Sequence, residues 1–207
     1  MTGAKRVAVV KVGGSLLGWP ELPARLTAFL EAGRSTDPTH AVVLIAGGGA
    51  AADWIRSLDL AYGLGDATAH GLAVRALDLT AAVLARLLPR SIVVEGLEGL
   101  AAARDSGLRP ILAPRIVLNE IERPGTALLP ESWEVTSDSI AARIAAHLEA
   151  GSLVLLKSAS APYGTTREDA SRLGLVDPML AQAARLIPRV ELINLRTDPP
   201  DRQILQP

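Results

Sequence analysis

Lys11 is the residue of this chain whose type and position point most directly to chemistry. The sequence has eighteen arginines but only three lysines, at Lys5, Lys11 and Lys157. Lys11 ends a β-branched run and precedes Gly13–Ser15. A compact ammonium beside backbone N–H groups that glycine leaves accessible suits a phosphate-handling site. The alternative is a surface lysine before an ordinary strand-to-helix turn.

A second glycine cluster, Gly47–Gly49, follows the apolar run 41–46 and precedes an alanine-rich segment. Three glycines let the backbone approach a ligand closely, and the N–H groups of a following helix can bind an anion. A tight turn is the alternative interpretation. Neither glycine loop matches the Gly-x-Gly-x-x-Gly or Walker A pattern, so the Rossmann and P-loop classes lack support.

Three polar residues, Ser137, Asp138 and Ser139, stand together at the predicted start of a helix. Capping of the helix N-terminus explains one of them. A carboxylate here could equally orient one or two lysines while the hydroxyl groups contact a substrate. The sequence leaves both interpretations open.

Three further residues are candidates for a substrate pocket. Asp66 opens a long helical pattern and is most simply its N-cap. His70 lies one turn later on the same face, and it either lines a polar pocket or is a solvated or core histidine. Trp133, close to the Ser-Asp-Ser turn, is either a packing anchor or a wall of an acceptor site.

The elements that must position these residues alternate along the chain. Apolar runs predict buried strands at Val7–Val12, Ala41–Ala46, Ser91–Val94, Pro110–Ala113, Ser152–Lys157 and Val190–Leu195. Helical patterns lie at about 21–33, 50–61, 66–88, 137–149 and 177–187. The alternation predicts an α/β fold with a largely parallel sheet and helices on both faces. Ligands of such sheets bind at the carboxyl ends of strands, where Lys11, Gly47 and Lys157 fall. Asn119–Glu134 interrupts the alternation as an irregular excursion or short hairpin.

The composition limits the classes of function. With 207 residues, the chain forms one or at most two domains. Its apolar stretches are too short for a membrane span, and no N-terminal signal pattern is present. The lack of cysteine excludes disulfides, thiolate metal sites and cysteine nucleophiles, and it is compatible with the cytoplasmic location we expect. A net charge of −1 and few aromatic residues argue against nucleic-acid binding. His40, His70 and His147 lack ligand spacing, so no metal site is predicted.

Together, Lys11–Ser15, Gly47–Gly49 and Ser137–Ser139 resemble, in order and spacing, the motifs of the amino-acid-kinase family, which includes acetylglutamate, uridylate and isopentenyl-phosphate kinases. Within it, Ala69–Leu79 and Ser132–Ser139 are most similar to the [5-(aminomethyl)furan-3-yl]methyl phosphate kinases of methanofuran biosynthesis. The resemblance covers roughly residues 5–157. It implies a three-layer αβα sandwich with a mostly parallel central sheet. About residues 1–150 would bind the phosphoryl acceptor, and a shortened part, about 151–207, would bind ATP with Mg²⁺ held mainly through the ATP phosphates.

The resemblance also implies roles for individual residues. Lys11 would neutralise the transferring phosphoryl group. Hydrogen bonds to its oxygens would come from Gly13, Gly14 and Ser15. Asp138 would hold the catalytic lysine in place. Gly47, Gly48 and Gly49 would face the acceptor. With the candidates taken above from the residues themselves, the predicted acceptor-binding set is Gly47, Gly48, Gly49, Asp66, His70, Trp133, Ser137 and Ser139. An acceptor that is already an oxyanion needs no strong general base, so positioning and charge stabilisation do most of the catalysis.

The segment after the fifth strand departs from the family pattern. The family usually has Thr-Asp-Val-Asp-Gly-Val-Tyr there, whereas this chain has Lys157–Tyr163. Ser158 and Ser160 replace the two acids, and Ala161 replaces the glycine. Lys157, a third candidate catalytic residue, either supplies a second positive charge or occupies part of the nucleotide pocket.

We therefore expect a kinase that transfers the γ-phosphoryl group of ATP to a small phosphate or carboxylate acceptor, such as an aminomethylfuran phosphate. A metabolite-binding or regulatory protein with the same fold and a degenerate nucleotide site is the alternative, and a phosphotransferase with another donor is a third. The apolar faces of alanine-rich helices such as 66–88 exceed what one small sheet must cover. They predict a homodimer or larger homo-oligomer.

Overall fold

The structure, a computed structural model, describes residues 7–36, 41–122 and 129–207, so Lys5 and His40 lie outside the described residues. Its strands are β1 (Val7–Val12), β2 (Ala41–Ala46), β3 (Ser91–Val94), β4 (Arg109–Leu112), β5 (Ser152–Lys157), β6 (Arg189–Asn194) and β7 (Asp201–Ile204). Its helices are α1 (Leu22–Thr36), α2 (Gly49–Tyr62), α3 (Asp66–Leu87), α4 (Gly99–Asp105), α5 (Pro114–Ile121), α6 (Ser137–His147), α7 (Arg167–Arg172) and α8 (Leu180–Ala183). A short 3₁₀ helix, Gly14–Leu16, follows β1.

The strands of the described residues form one sheet in the order β3-β4-β2-β1-β5-β6-β7. The first six in this order pair in parallel, and β7 joins the edge antiparallel to β6. Parallel pairing requires long crossover connections, which the helices between the strands provide. The predicted α/β class with a mostly parallel central sheet is therefore confirmed.

Two hydrophobic cores lie on opposite faces of the sheet, because successive side chains of a strand point to opposite faces. One core contains Val9 of β1 together with Ile140 of α6. The other contains Val10 of β1 together with Leu26 of α1. The long helix α3 contributes to both cores, through Val74 and Leu84 respectively. The sheet thus lies between two helical layers, as the predicted three-layer sandwich requires.

The strand register brings the two candidate lysines to one face of the sheet. Strand β1 pairs with β5 such that Lys11 lies opposite Leu155. Lys157 is two residues beyond Leu155, so the two-residue period of a strand turns it to the same face as Lys11. Ile140 shows that α6 covers this face. Asp138, in the first turn of α6, is thereby brought over both lysines.

The apolar runs predicted the positions of six strands to within one residue. The sequence patterns did not predict one edge strand and three short helices. The bounds of β1, β2, β3 and β5 coincide with the predicted runs, and β4 and β6 lie one residue earlier than predicted. The edge strand β7 and helices α4, α5 and α7 were not predicted. Helices α4 and α7 have seven and six residues, too few turns to give a clear periodic signal.

Two predicted segments differ from the structure. The helix expected at 177–187 is reduced to α8, and Pro188 disfavours helical backbone at Ile187, the residue before it. The stretch Asn119–Glu134, expected to be irregular or a hairpin, begins with the last turn of α5. Residues 123–128 lie outside the described part, and the described remainder of this stretch contains no strand.

Among the residues that the structure describes, no helix is both long and apolar enough to cross a membrane.

Candidate active site

Two lysines meet on one carboxylate at the carboxyl ends of β1 and β5. Lys11 Nζ lies 2.8 Å from Asp138 Oδ1, and Lys157 Nζ lies 2.6 Å from Asp138 Oδ2. Lys11 and Asp138 are buried, whereas the Lys157 side chain is 16% exposed. Two ammonium groups and one carboxylate leave this lysine–aspartate cluster with a net positive charge.

Burial and mutual attraction shift the ionisation of the lysine–aspartate cluster. Desolvation lowers the pKa of Lys11 below its ordinary 10.5, the nearby Lys157 lowers it further, and Asp138 offsets part of the change. Burial acts to raise the pKa of Asp138, but the two ammonium groups outweigh it and hold that pKa well below 3.8. Asp138 is therefore ionised at neutral pH and acts as a fixed negative charge between the lysines.

The two glycine loops contact each other through their backbones. A Cβ added to Gly14 would lie 2.3 Å from the amide nitrogen of Gly49, and one added to Gly47 would lie 2.6 Å from that of Gly14. A Cβ on Gly13 would lie 2.7 Å from the carbonyl oxygen of Leu156, which accepts a hydrogen bond from the Gly13 N–H. These glycines are required for close packing of three strand ends, in addition to any role toward a ligand.

A cavity of about 330 Å³ opens beside the glycine loops. Seven of the predicted site residues line it, namely Gly14, Ser15, Gly48, Gly49, His70, Trp133 and Ser137. Helices α2, α3 and α6 form its walls, with apolar side chains such as Leu77 and Ile140. The cavity therefore combines an apolar wall with backbone amide groups at one end.

Arg56 and Trp133 form one side of this cavity. The guanidinium carbon of Arg56 lies 4.5 Å from the centroid of the Trp133 ring, within the range of a cation–π contact. Trp133 Nε1 donates to Asp59 Oδ2 at 2.7 Å, which fixes the indole against α2. His70 Nδ1 is 3.2 Å from the carbonyl oxygen of Ser132. Trp133 is thus both a packing anchor and a wall of the cavity.

The N-terminus of α6 is capped by two residues other than Asp138. Thr136 Oγ1 accepts from the Asp138 N–H at 3.4 Å. Asp177, in the segment before α8, accepts from the Ser139 N–H at 3.0 Å and from the Ser139 hydroxyl. The Ser139 side chain is fully buried in this contact and does not line the cavity.

Other predicted site residues lie away from the cavity. Asp66 is exposed in the first turn of α3, where Gly65 occupies the N-cap position, so the N-cap expected of Asp66 is wrong. Gly13 and Gly47 do not line the cavity, and neither do the lysine–aspartate cluster residues. The cluster adjoins the cavity through its chain neighbour Ser137.

In the segment after β5, the side chains of Ser158 and Ser160 form hydrogen bonds with other residues of the protein. Ser158 Oγ lies 3.0 Å from Ser15 Oγ in the first glycine loop. Ser160 Oγ accepts from Asn194 Nδ2 at 3.1 Å, which ties the segment to the end of β6. Tyr163 is almost completely exposed. The carboxyl ends of β1, β5 and β6 thus share a polar surface that contains hydroxyl and amide groups.

Comparison of the sequence with models of protein families shows the family to which the chain belongs. The profile of the amino acid kinase family matches residues 6–183, most of the chain. The chain belongs to the amino acid kinase family. The resemblance drawn from the three motifs is confirmed at this level. A search of curated proteins finds no significant match.

Solved structures of kinases share the fold. UMP kinase from Ureaplasma parvum aligns with a TM-score of 0.67 at 16% identity, over 99% of this chain and 100% of that one. Uridylate kinase from Archaeoglobus fulgidus aligns with a TM-score of 0.59 at 15% identity, over 97% and 90%. Aspartate kinase from Synechocystis aligns with a TM-score of 0.61 at 17% identity, over 97% of this chain and 40% of that one. At these identities, the likeness establishes the fold of this member of the amino acid kinase family.

Sequence reasoning missed three residues that shape the site. Arg56 and Asp59 lie three residues apart in α2, and both contact Trp133, which is far away in the sequence. No local pattern in the sequence indicates these contacts. Asp177 precedes Pro178, a pair that is typical of turns and caps. The sequence does not tell which helix such a residue caps, and Asp177 caps one that begins 40 residues earlier in the chain.

Proposed function

We propose that this protein is a kinase that transfers the γ-phosphoryl group of ATP to a small anionic acceptor, a phosphate or a carboxylate. The observation that carries the proposal is the lysine–aspartate cluster, in which Lys11 and Lys157 share Asp138 at the ends of adjacent parallel strands. Membership of the amino acid kinase family supports the same reaction class.

In this proposal the protein acts by charge and position. Phosphoryl transfer spreads negative charge over the equatorial oxygens of the transferred group. Lys11, held by Asp138 in a dry environment, stabilises that charge more than it would in water. Lys157 supplies the second positive charge. An acceptor oxyanion is already a nucleophile, so the chain needs no general base, and none is assigned.

We assign the acceptor to the cavity between α2, α3 and α6. The N–H groups in the first turn of α2 have no acceptors within the helix, and the helix dipole favours an anion there. At the start of α6, Asp177 takes the Ser139 N–H, so α2 is the better anion site. Arg56 is the cationic side chain of the described lining, and His70 adds an imidazole ring. A volume of about 330 Å³ suits a small metabolite.

An aminomethylfuran phosphate fits the chemistry of this cavity. Its phosphate would meet the α2 amide groups and the glycine loops. Its ammonium group would pair with Asp53 at the rim, and its furan ring would lie against Trp133. We therefore retain a role in methanofuran-type cofactor biosynthesis, and hence in one-carbon metabolism, as the specific form of the proposal.

We assign ATP to the carboxyl ends of β1, β5 and β6. Ser15, Ser158 and Arg196 offer hydroxyl and guanidinium groups there, and the Arg196 guanidinium carbon lies 5.6 Å from the Trp19 ring centroid. Within the described residues, no three acidic or histidine side chains come together to hold a metal ion. Mg²⁺ would accordingly be held through the ATP phosphates, where it neutralises charge.

The test measures ADP release with MgATP against a panel of phosphomonoesters and carboxylates that includes an aminomethylfuran phosphate. Lys11→Ala should lower kcat at least about a hundredfold, equivalent to about 3 kcal/mol of transition-state stabilisation. Lys5→Ala, the same substitution outside the three motifs, is the matched control. Turnover that persists unchanged in Lys11→Ala would refute the proposal.

A binding or regulatory protein is the second candidate, and the segment after β5 favours it. Ser158 and Ser160 stand in place of the family's two acids and are hydrogen-bonded to protein groups. Calorimetric titration with MgATP separates the two candidates. Binding in the micromolar to millimolar range supports the kinase. Acceptor binding without MgATP binding supports the second candidate, and a screen of other phosphoryl donors then tests the third.

We also propose that the protein forms a homodimer through α3. Leu79, Val83 and Leu87 recur every four residues on this helix and are 59%, 45% and 37% exposed. Residues four apart lie on one face of a helix, so the three form an apolar stripe. A second copy related by a two-fold axis offers the same stripe, which makes the surface self-complementary.

A further inference from the structure

The most heavily hydrogen-bonded carboxylate of the described residues, Asp177, belongs to neither the cavity nor the lysine–aspartate cluster. It is 5% exposed and accepts five hydrogen bonds. Its Oδ2 accepts from the Thr136 N–H at 2.9 Å, the Thr136 hydroxyl at 2.7 Å and the Ser139 N–H at 3.0 Å. Its Oδ1 accepts from the Ser139 hydroxyl and from the Met179 N–H at 3.1 Å.

These hydrogen bonds lie on both sides of Asp138 in the chain. Thr136 precedes Asp138 by two residues, and Ser139 follows it directly. A single buried carboxylate therefore fixes the backbone that carries Asp138. Buried hydrogen bonds to an ionised acceptor are stronger than neutral ones, so this anchoring is rigid.

The anchoring also explains why Asp138 is available to the lysines. An aspartate in the first turn of a helix ordinarily interacts with the N–H groups there. In α6, Thr136 and Asp177 accept from the N–H groups of Asp138 and Ser139. Both oxygens of Asp138 are consequently left to Lys11 and Lys157.

We propose that Asp177 is the positioning residue of the active site: by capping α6 from the segment before α8, it sets where Asp138 presents its carboxylate to Lys11 and Lys157. The inference rests on the proposed phosphoryl transfer, since it assigns Asp177 to the same site. Asp177 does not line the cavity, and it positions Asp138 through the backbone of α6. Its negative charge also raises the pKa of Lys11, which helps to keep that lysine charged.

The chain offers a direct test because it has three lysines. In protein labelled with ¹³C only at lysine, the Cε signals of Lys11 and Lys157 report on the lysine–aspartate cluster without any turnover. Replacing each lysine in turn by arginine assigns the signals. The test variant is Asp177→Asn. The matched control is Asp169→Asn, which removes a capping carboxylate from α7, where Asp169 Oδ2 accepts from the Thr166 hydroxyl at 2.8 Å.

Asp177→Asn should move both cluster signals and lower the titration midpoint of Lys11, because a carboxylate that raises that pKa is gone. It should lower kcat roughly tenfold to a hundredfold while the KM values for acceptor and MgATP change by less than about threefold. Asp169→Asn should leave the lysine signals and kcat at the wild-type values. Cluster signals that stay at their wild-type positions in folded Asp177→Asn overturn the proposal.

The outcomes separate this inference from the proposed function. If Lys11→Ala abolishes turnover and Asp177→Asn retains full kcat, the kinase proposal stands and the positioning role fails. If the wild type turns over no acceptor, the lysine signals alone decide whether Asp177 orders the cluster. If Asp177→Asn does not fold, Ser139→Ala provides the test. It removes one of the five hydrogen bonds to Asp177 and should shift the Cε signals of Lys11 and Lys157 by a small but measurable amount. Unchanged signals in Ser139→Ala would then count against the proposal.

Discussion

The backbone of Gly14 lies directly against that of Gly49: a Cβ on Gly14 would fall 2.3 Å from the Gly49 amide nitrogen. Gly49 itself has a positive φ of 51°, a conformation that favours glycine. The two glycine motifs, more than 30 residues apart in the chain, therefore form one structural unit. Their glycines are needed where two strand ends converge, whatever ligand they also contact.

Gly14→Ala should consequently lower both stability and activity. The added methyl group would clash with backbone atoms of Gly49 and not with a flexible side chain. The clash can be removed only if one of the two glycine loops moves. We expect the free energy of unfolding to fall by about 1–3 kcal/mol in urea titrations. Gly71→Ala, in α3 with no atom within 4 Å of the new Cβ, is the control and should be neutral or stabilising. Equal losses in the two variants would contradict this explanation.

Asp138→Asn and Lys11→Met should differ in their effects on stability. Asp138→Asn leaves two ammonium groups close together without their counter-charge and should lower the free energy of unfolding by about 3 kcal/mol or more. Lys11→Met leaves Asp138 paired with Lys157 and should cost less. Both variants should lose turnover. The order is checked by chemical denaturation, and a larger loss in Lys11→Met would show that the cluster is not held by its carboxylate.

The pH dependence of kcat/KM should reveal the burial of Lys11, because this ratio reports ionisation in the free protein. Since burial lowers the pKa of Lys11 below 10.5, its charge is lost as pH rises through that lowered value. The value of kcat/KM should therefore fall on the alkaline side at a pH below 10.5. Lys11→Arg keeps its charge to above about pH 12, so its residual activity should lack this limb. The same alkaline limb in both proteins would assign it to another group.

Arg56→Met should weaken acceptor binding selectively. Arg56 is a cation of the cavity lining and is held over Trp133, so it is in place before an anionic acceptor arrives. Loss of a charge-assisted hydrogen bond should raise the acceptor KM by roughly tenfold to a hundredfold and leave kcat nearly unchanged. Arg185→Met, on the exposed surface, is the control for loss of an arginine. An unaltered KM would remove Arg56 from the acceptor site.

Val83→Glu should dissociate the proposed dimer. A charge placed in the middle of the apolar stripe of α3 would meet its own copy across a two-fold axis. Light scattering at micromolar concentration should give a dimer for the wild type and a monomer for the variant. Leu60→Glu, at an exposed apolar position of α2, should remain dimeric. A monomeric wild type at the same concentration would refute the homodimer.

Some residues of the candidate site could be predicted from the sequence, and others could not. Lys11 lies near the end of an apolar run and the two glycine loops follow such runs, so their place at the carboxyl ends of strands could be predicted. Arg56 and Asp177 could not, because each acquires its role from a contact with a residue far away in sequence. The Ser137–Ser139 motif was ambiguous for the same reason. Only the caps supplied by Thr136 and Asp177 show that Asp138 is used for the lysines.

The sequence by itself determined the alternation of strands and helices, since β-branched runs and helical periodicity are local properties. It also determined that lysine stands at the ends of β1 and β5 in an arginine-rich chain. The tertiary structure decided that these two lysines share one carboxylate. That outcome depends on the parallel register of β1 with β5 and on α6 lying over that face, and both arise from long-range packing. Lys157 thereby becomes a partner of Lys11 at the same carboxylate.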